Sequence, residues 1–299
     1  MKKFNVYILL VFVCFASEIG AKPQSGIEFY PSLLMKGGSL ILRVHASSKP
    51  KVRLGTASIP MYQDKDGSYL GFLALDIQDG RKGDFLEIRD GKQVNVKTLN
   101  FQDAVYRTRR FTIPAPKKKY VGPSKEKDEA NKTIAKVRQT GIQELLIEGP
   151  FILPLKDARV SDLYFGDYRE IKSGEKTVRY FHRGVDFAAP RGTPVYACNG
   201  GVVRLARDVF NRGKTVILDH GWGVSTEYLH LDRIQVREGD RLIKGQKLGE
   251  VGNTGVSTGP HLHLSFLVNN IHVNPIFWMR PIVKQIFPDN SLLSMKDGR

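Results

Sequence analysis

The sequence predicts a mainly β fold, in which two domains are joined by a short connecting helix. Apolar and polar residues alternate with a period of two from Ile27 to Pro114, glycine recurs throughout the second half, and one amphipathic segment lies between them. The length of 299 residues suits about two ordinary domains. With 41% hydrophobic and 25% charged residues, the composition excludes disordered and fibrous proteins.

Residues 22–114 are predicted to form an immunoglobulin-like β-sandwich. The stretch Leu40–Ala46 alternates apolar and other side chains as a half-buried strand does. Asp90-Gly91 separates two further alternating runs, which is a strong hairpin signal. Short strands between clusters of Gly, Asp, Ser and Pro are typical of a small sandwich. His45 stands alone in this domain, and we expect it at the surface.

Residues 115–148 are interpreted as a linker that contains the connecting helix. Two prolines and a run of three lysines interrupt the strand pattern at its start. Ser124 can cap the helix, because its side chain can accept a hydrogen bond from the first turn. Ala130, Ile134 and Val137 form one apolar stripe, so we expect this helix to pack on a neighbouring element.

Residues 149–282 are predicted to form a glycine-rich antiparallel β domain. Glycines separate short apolar runs, of which Thr215–Leu218, Leu248–Val251 and Leu262–Val268 are the clearest strands. No amphipathic pattern of helix length lies between these runs. Residues 283–299 are a weakly patterned tail.

Residues 1–21 read as an export signal. Two lysines precede the apolar run Val6–Ala16, which is long enough for a signal peptide and too short to cross a bilayer. Cleavage after Ala16 or after Ala21 is consistent with the small residues there, and an uncleaved membrane anchor is the alternative. No later segment is long and apolar enough to span a membrane. We therefore expect an exported protein, in the periplasm, on the cell envelope or outside the cell.

The net charge indicates the kind of partner, and the cysteine count bears on disulfides. A formal net charge of +16 favours an anionic partner such as a cell-envelope polymer. No nucleic-acid-binding motif is present, so nucleic acid is not expected as a partner. Only two cysteines occur, which excludes a disulfide framework, and the apolar neighbours of Cys198 predict a buried, inert thiol.

Five of the seven histidines fall between His182 and His263, and four of these five lie in three groups that stand out. These groups are His182-Arg-Gly-Val-Asp186, Glu227-Tyr-Leu-His230 and His261-Leu-His263. On a strand, residues i and i+2 share one face about 7 Å apart. That spacing suits one histidine on a metal and the other beside it, acting on the same substrate.

These groups predict a catalytic zinc site with one ion per chain. A catalytic zinc has three protein ligands and an open position for water, and it accepts mixed nitrogen and oxygen ligands. His182, Asp186 and His263 supply such a set. Bound zinc acidifies water and polarises a carbonyl. His230 and His261 remain to move protons and to stabilise developing negative charge.

The same stretches resemble the LytM/lysostaphin-type zinc metallopeptidases over about residues 150–280. The matching motifs, in order along the chain, are His182-Arg-Gly-Val-Asp, Asp219-His-Gly-Trp-Gly, Tyr228-Leu-His-Leu, Gly245-Gln-Lys-Leu-Gly and Gly252-Asn-Thr-Gly-Val-Ser-Thr-Gly-Pro-His-Leu-His. The front domain and helix are similar, less specifically, to those of secreted multi-domain members.

The resemblance implies a compact β metallopeptidase domain whose zinc lies in a groove, and endopeptidase activity on peptidoglycan peptides. It places His182, Asp186 and His263 on the zinc and makes His230 and His261 the two catalytic histidines. His220 and His272 match no catalytic position and are expected to be structural or exposed. After His263, the stretch Leu264-Ser265-Phe266 stands where many members carry an acidic residue, and before His182 the segment Tyr164–Arg169 keeps only part of a common motif. We expect these departures to affect substrate choice rather than metal binding.

Two other functions stay open at this stage. One is a non-catalytic protein on the same fold that binds the wall or activates a hydrolase. The other is a secreted protease that acts on proteins. The bond cleaved in peptidoglycan also stays open, since D-Ala to diaminopimelate cross-links and glycine bridges are both consistent with the sequence.

Overall fold

The structure is a computed structural model, and it describes residues 26–31, 33–139, 141–156, 159–162, 165–173 and 176–279. The predicted export signal and the predicted tail lie outside the described residues. Across the described ranges, no helix has the length and apolar character needed to cross a bilayer.

The front domain consists of two sheets around a shared apolar core. Its strands are β1 (Ile27–Tyr30), β2 (Leu34–Met35), β3 (Ser39–Val44), β4 (Lys51–Leu54), β5 (Ala57–Ile59), β6 (Met61–Gln63), β7 (Tyr69–Ala74), β8 (Gly83–Asp90) and β9 (Gln93–Gln102). One sheet has the order β1-β3-β7-β6 and the other β2-β9-β8-β4-β5. Leu42 and Leu73 of the first sheet pack in one core with Leu86 and Phe101 of the second. The two-sheet arrangement agrees with a sandwich, and the immunoglobulin-like topology stays a prediction.

The connecting segment holds a strand, a 3₁₀ helix and an α-helix, namely β10 (Thr108–Thr112), the 3₁₀ helix Ala115–Tyr120 and α1 (Lys125–Gln139). The Lys127 N–H donates to Ser124 Oγ at 3.2 Å, so the predicted cap is present. Ala130 and Ile134 are buried against Leu205 of the second domain. The expected apolar stripe of this helix is therefore confirmed.

Most strands of the second domain belong to one large sheet. Its strands are β11 (Arg159–Asp162), β12 (Tyr168–Ser173), β13 (Lys176–Phe181), β14 (Val185–Ala188), β15 (Pro194–Tyr196), β16 (Gly201–Val209), β17 (Gly213–Gly221), β18 (Val224–Ile234), β19 (Arg241–Leu242), β20 (Lys247–Val251), β21 (His261–Val268) and β22 (Ile271–Val273), followed by the 3₁₀ helix Pro275–Met279. The main path is β11-β14-β21-β18-β17-β16-β19, and its described pairings are antiparallel. The mainly β prediction is confirmed.

A separate three-stranded sheet links the connecting segment to the second domain. Strand β10 pairs in parallel with β12, which pairs antiparallel with β13. The chain therefore pairs with the second domain from Thr108 onward. This point comes before residue 115, where the sequence predicted the start of the linker.

The two central strands of the first sheet of the front domain, β3 and β7, are buried on both faces. Alternate residues of β3 and β7 point away from the sandwich core, and Ile41, Leu70 and Phe72 join the core of the second domain. Tyr62 stacks on Trp222 with ring centroids 5.0 Å apart. The Trp278 indole donates to Ser39 Oγ at 3.0 Å. The two domains thus share one continuous apolar core.

Candidate metal centre

Three neighbouring central strands position the predicted site residues. In the antiparallel registers, Asp186 of β14 lies opposite His263 of β21, and Leu229 of β18 lies opposite His263 on the other side. His182 precedes β14 by a short loop, and His230 follows Leu229. All five predicted residues are therefore held at one end of the same sheet.

His182, Asp186 and His263 bring three potential ligand atoms together. His182 Nε2 lies 3.1 Å from Asp186 Oδ1 and 3.1 Å from His263 Nδ1, and His263 Nδ1 lies 2.9 Å from Asp186 Oδ1. The edge of a tetrahedron built on zinc–ligand bonds of about 2.1 Å is about 3.4 Å, close to these separations. The arrangement therefore fits one small metal ion.

The hydrogen bonds around His263 show why a cation suits this point. Ser265 Oγ donates its single proton to the Arg183 carbonyl at 2.9 Å. It must then accept from His263 Nε2, which lies 2.9 Å away. Neutral His263 consequently carries its proton on Nε2 and directs the lone pair of Nδ1 toward Asp186 Oδ1. Two lone pairs that converge in this way suit a bound cation.

The electrostatics of the site favour the protonation states that bind metal. Burial opposes the ionisation of Asp186, but the neighbouring His182 and His263 outweigh it and hold the pKa of this carboxyl well below its ordinary value. Burial lowers the pKa of His263 to about 4. A carboxylate and neutral imidazoles are the forms that coordinate a metal. Arg169 also donates to Asp186 Oδ2 at 2.6 Å, which fixes the carboxylate.

His230 and His261 stand beside these three residues with defined orientations. His230 Nδ1–H donates to the Thr254 carbonyl at 2.8 Å, and His261 Nδ1–H donates to the Gly259 carbonyl at 2.8 Å. A carbonyl can only accept, so the Nε2 atom of each neutral ring bears a lone pair. The two ring centroids are 4.9 Å apart, and His261 Nε2 lies 3.8 Å from Asp186 Oδ1.

Local backbone features bring these rings into place. His230 has a φ of 64°, a left-handed conformation that a residue other than glycine seldom adopts. Its N–H donates to the Arg212 carbonyl at 3.1 Å, which helps to hold that conformation. At Gly184, a Cβ atom would lie 2.5 Å from His263 Nε2, so only glycine leaves room for the ligand ring.

The five residues open into a groove with a cavity of about 660 Å³. Its walls include β10, the β12–β13 hairpin, the segment Tyr120–Gly122, the loop before β17 and the loop before β21. Tyr120 packs edge-on against Phe210, with ring centroids 5.0 Å apart. Lys117 donates to the Asn253 carbonyl at 2.5 Å and ties this segment to the loop before β21. The connecting segment thus forms one wall of the site.

Two of the histidines and the cysteine that the sequence placed outside the site have no part in it. His220 is fully buried, with Nδ1 bonded to the Gly200 carbonyl and Nε2 to Thr226 Oγ1. His45 is exposed and pairs with Glu28. Cys198 is buried, and burial raises the pKa of its thiol to about 12, as expected for an inert thiol.

Sequence reasoning missed several residues that support the site. Arg169 and Ser265 were expected to affect substrate choice only, but Arg169 contacts Asp186 and Ser265 contacts His263. Their proximity to two potential ligands makes them part of the metal centre's surroundings. Thr254 also went unnoticed, because its contribution is a backbone carbonyl and no side-chain pattern signals that.

Comparison with known proteins agrees with this geometry. Residues 180–275 match the model of peptidase family M23, and this part of the chain is an M23 peptidase domain. The LytM/lysostaphin-type resemblance inferred from the motifs is therefore confirmed.

Similar proteins include named cell-wall enzymes. The chain is 50% identical over 95 residues to the peptidoglycan DD-endopeptidase ShyC of Vibrio cholerae, over 31% of this chain and 22% of that protein. It is 46% identical over 93 residues to ShyA, a peptidoglycan DD-endopeptidase of the same organism, with the same shares. It is 43% identical over 95 residues to the DD-carboxypeptidase/endopeptidase Mpg of Neisseria meningitidis, over 32% of this chain and 22% of that protein. The matches thus span about a fifth of each relative's length.

One solved structure supports the architecture as a whole. It is an M23-family protein from Pseudomonas aeruginosa, with a TM-score of 0.59 and 22% sequence identity. The alignment covers 83% of this chain and 95% of that protein. The likeness therefore extends beyond the peptidase domain and concerns the fold.

Proposed function

We propose that this protein is an exported zinc metalloendopeptidase that hydrolyses DD-peptide bonds in peptidoglycan cross-links. The observation that carries the proposal is the convergence of Asp186 Oδ1, His263 Nδ1 and His182 Nε2 on one point. The relatives named peptidoglycan DD-endopeptidases support the substrate, because they are 50% and 46% identical to this chain over 95 and 93 residues.

Zinc fits this set of donors because it binds imidazole nitrogen and carboxylate oxygen with a tetrahedral preference. His182, Asp186 and His263 would hold the ion. When bound there, zinc supplies an acidified water and a Lewis acid for the scissile carbonyl. Ser265 keeps His263 in the tautomer that binds through Nδ1, and Arg169 fixes the Asp186 carboxylate.

His230 and His261 are proposed to handle the protons of the reaction. Each donates Nδ1–H to a backbone carbonyl and keeps a lone pair on Nε2. One ring can accept the proton of the attacking water, and a protonated ring can donate to the leaving amine or to the carbonyl oxygen as negative charge develops. Because both rings are anchored at Nδ1, they need no reorientation during turnover.

The basic character of the chain is proposed to hold the enzyme on anionic cell-envelope polymers. Exposed charges are screened beyond about 8 Å at physiological salt. Binding to purified walls should therefore weaken as salt increases, whereas hydrolysis of a short neutral peptide should change little. Equal salt sensitivity in both assays would show that the charge does not serve for docking.

Mass spectrometry of fragments released from purified peptidoglycan tests the proposed function. The zinc-loaded protein should convert cross-linked dimers to monomers by cleaving the DD bond. Cleavage of glycine bridges, or digestion of casein in place of peptidoglycan, would replace the substrate assignment. Full zinc occupancy without hydrolysis of any of these substrates would instead favour a non-catalytic wall-binding protein.

A further inference from the structure

A buried cluster of charges lies directly behind one wall of the groove. Glu227 of β18 has a fully buried side chain. Arg138 of helix α1 donates to Glu227 Oε1 from Nε at 2.8 Å and from Nη2 at 2.5 Å. Arg212 donates from Nη1 to Glu227 Oε2 at 2.6 Å. His272 Nε2 lies 3.3 Å from Arg138 Nη2 and completes the cluster.

The cluster carries one positive charge in excess. Burial opposes the ionisation of Glu227, but the charges of Arg212 and Arg138 outweigh it and keep the pKa of this carboxyl far below its ordinary value. Burial lowers the pKa of His272 to about 3, so that ring is neutral at pH 7. Two guanidinium groups therefore face one carboxylate, in surroundings where water screens charge weakly.

Arg212 is the member of the pair that lines the groove. Arg212 and His272 both border the cavity, and 18% of the Arg212 side chain is exposed. The Arg212 carbonyl also accepts the His230 N–H, so this arginine is fixed next to a proposed catalytic histidine. A guanidinium has five N–H donors in a planar fork, and the bond to Glu227 uses a donor of only one nitrogen.

The other groove arginines have a different charge balance. Arg109 pairs with Asp167, Arg169 with Asp186 and Arg183 with Asp76, each with its own carboxylate. Arg179 shares Glu170 with Arg110, but these two arginines are 57% and 76% exposed, where water weakens their charge. Among the arginines that line the described part of the groove, Arg212 is thus the one whose excess charge lies in a poorly solvated wall.

We propose that Arg212 binds a free carboxylate of the substrate peptide and so selects peptides that carry such a group near the scissile bond. The proposal rests on the proposed peptidoglycan endopeptidase function and deepens it. Glu227 and Arg138 are positioning residues: they hold the Arg212 guanidinium in place without cancelling its charge. A planar guanidinium matches a carboxylate in shape, and charge-assisted pairs of this kind are strong.

A pair of substrates tests the proposal on the unaltered protein. One is a cross-linked muropeptide dimer purified from peptidoglycan, and the other is the same dimer with its carboxylates converted to amides. For the native chain, amidation should raise KM about tenfold or more and change kcat little, since a charge-assisted contact is lost in the bound complex.

Variants of Arg212 then assign the effect to this residue. In Arg212→Gln, the two dimers should be hydrolysed with similar KM values, and Arg212→Lys should fall between this variant and the native chain because it retains charge and loses the fork. Arg207→Gln is the matched control, since Arg207 is exposed and paired with Glu238 outside the groove. Zinc content and melting temperature show whether each variant is intact.

The outcomes separate this inference from the function beneath it. If the native chain hydrolyses both dimers equally well, or if Arg212→Gln keeps the native preference, the carboxylate site is wrong and the endopeptidase function stands. If a folded, zinc-loaded chain hydrolyses neither dimer nor intact peptidoglycan, the proposed function itself fails and the carboxylate site falls with it.

Discussion

Ser265 makes two hydrogen bonds next to the proposed metal ligand His263. Its hydroxyl accepts a hydrogen bond from His263 Nε2 and donates one to the Arg183 carbonyl. This one hydroxyl therefore determines which nitrogen of His263 bears the lone pair. Residues that orient a ligand in this way typically affect metal affinity or activity by about 10–100-fold.

We therefore expect Ser265→Ala to lower zinc affinity and activity together, by about tenfold or more, because His263 loses the acceptor that fixes its tautomer. Zinc affinity measured by competition with a chelator, beside the hydrolysis rate, checks this. Ser58→Ala is the control, since Ser58 is exposed in the front domain. Wild-type affinity in Ser265→Ala would mean that the hydroxyl does not orient the ligand.

His220 gives a prediction about pH. Burial lowers its pKa to about 4, from an ordinary value of 6.5. Between these two values the unfolded chain binds a proton at His220 that the folded chain does not, so stability is lost as the pH falls from 6.5 toward 4. One such group contributes about 1–2 kcal/mol to that loss between pH 6.5 and pH 5.

Urea unfolding at these two pH values measures the effect in the native chain and in His220→Gln. The native chain should lose more free energy of unfolding between them than the variant does. Buried His272 contributes a similar slope in both proteins, which leaves the difference to His220. An identical pH dependence in the two proteins would show that His220 is not held neutral by folding.

At the scale of single residues, the sequence predicts the five site residues well and the residues that support them poorly. His-x-His on a strand and His-x-x-x-Asp before a strand have spacings that point to metal binding, so the five residues were found by pattern. Arg169 lies next to Asp186 only in the folded chain, so no local spacing signals that contact. Ser265 lies two residues after His263 on the same strand and shares its face, so this spacing was a signal that the sequence offered.

At the scale of elements, helix α1 is held against the peptidase domain in two ways. Ala130 and Ile134 pack on Leu205, and Arg138 at its end reaches the buried Glu227. The helix is therefore an integral part of the second domain's surface, and its apolar packing supports the position of Arg138.

Ile134→Ala should accordingly cost about 2–5 kcal/mol of stability, because a buried isoleucine leaves a cavity in that contact. Lys132→Ala on the exposed side of the same helix should change stability by less than about 0.5 kcal/mol. Chemical denaturation of both variants is the measurement. A small effect of Ile134→Ala would mean that α1 docks weakly.

The helix was predictable because its stripe has the period of an α-helix and its cap is a serine. The parallel pairing of β10 with β12 was not predictable from the sequence, because the partner strands are separated by about 60 residues and nothing local sets their register. The same holds for Glu227, whose arginine partners come from the helix and from the loop before β17.

For the whole molecule, the main departure from the sequence-based picture is the contact between the domains. Alternation in β3 and β7 was read as one buried and one outward face. The structure uses both faces, since Ile41 and Phe72 enter the core of the second domain. An apolar outward face is compatible with either a surface or a domain contact, so pattern alone did not decide.

Phe72→Ala should destabilise the protein by about 3–5 kcal/mol, because Phe72 is fully buried between Trp222 and Trp278. Phe85→Ala is the matched control, because that ring is 63% exposed. The chain has two tryptophans, both at this contact, so their fluorescence reports on it directly. Equal stabilities for the two variants would show that the domains do not share a core.

The most direct test of the central claim is zinc content measured beside the hydrolysis rate in five alanine variants. His182→Ala, Asp186→Ala and His263→Ala each remove a proposed ligand, so zinc and activity should fall together. His230→Ala and His261→Ala should keep the metal and still lose activity by about 10²–10⁴-fold, since they are proposed to move protons rather than to bind zinc. Loss of zinc from His230→Ala or His261→Ala as complete as from His263→Ala would contradict these roles, and wild-type activity in all five variants would contradict the metallopeptidase itself.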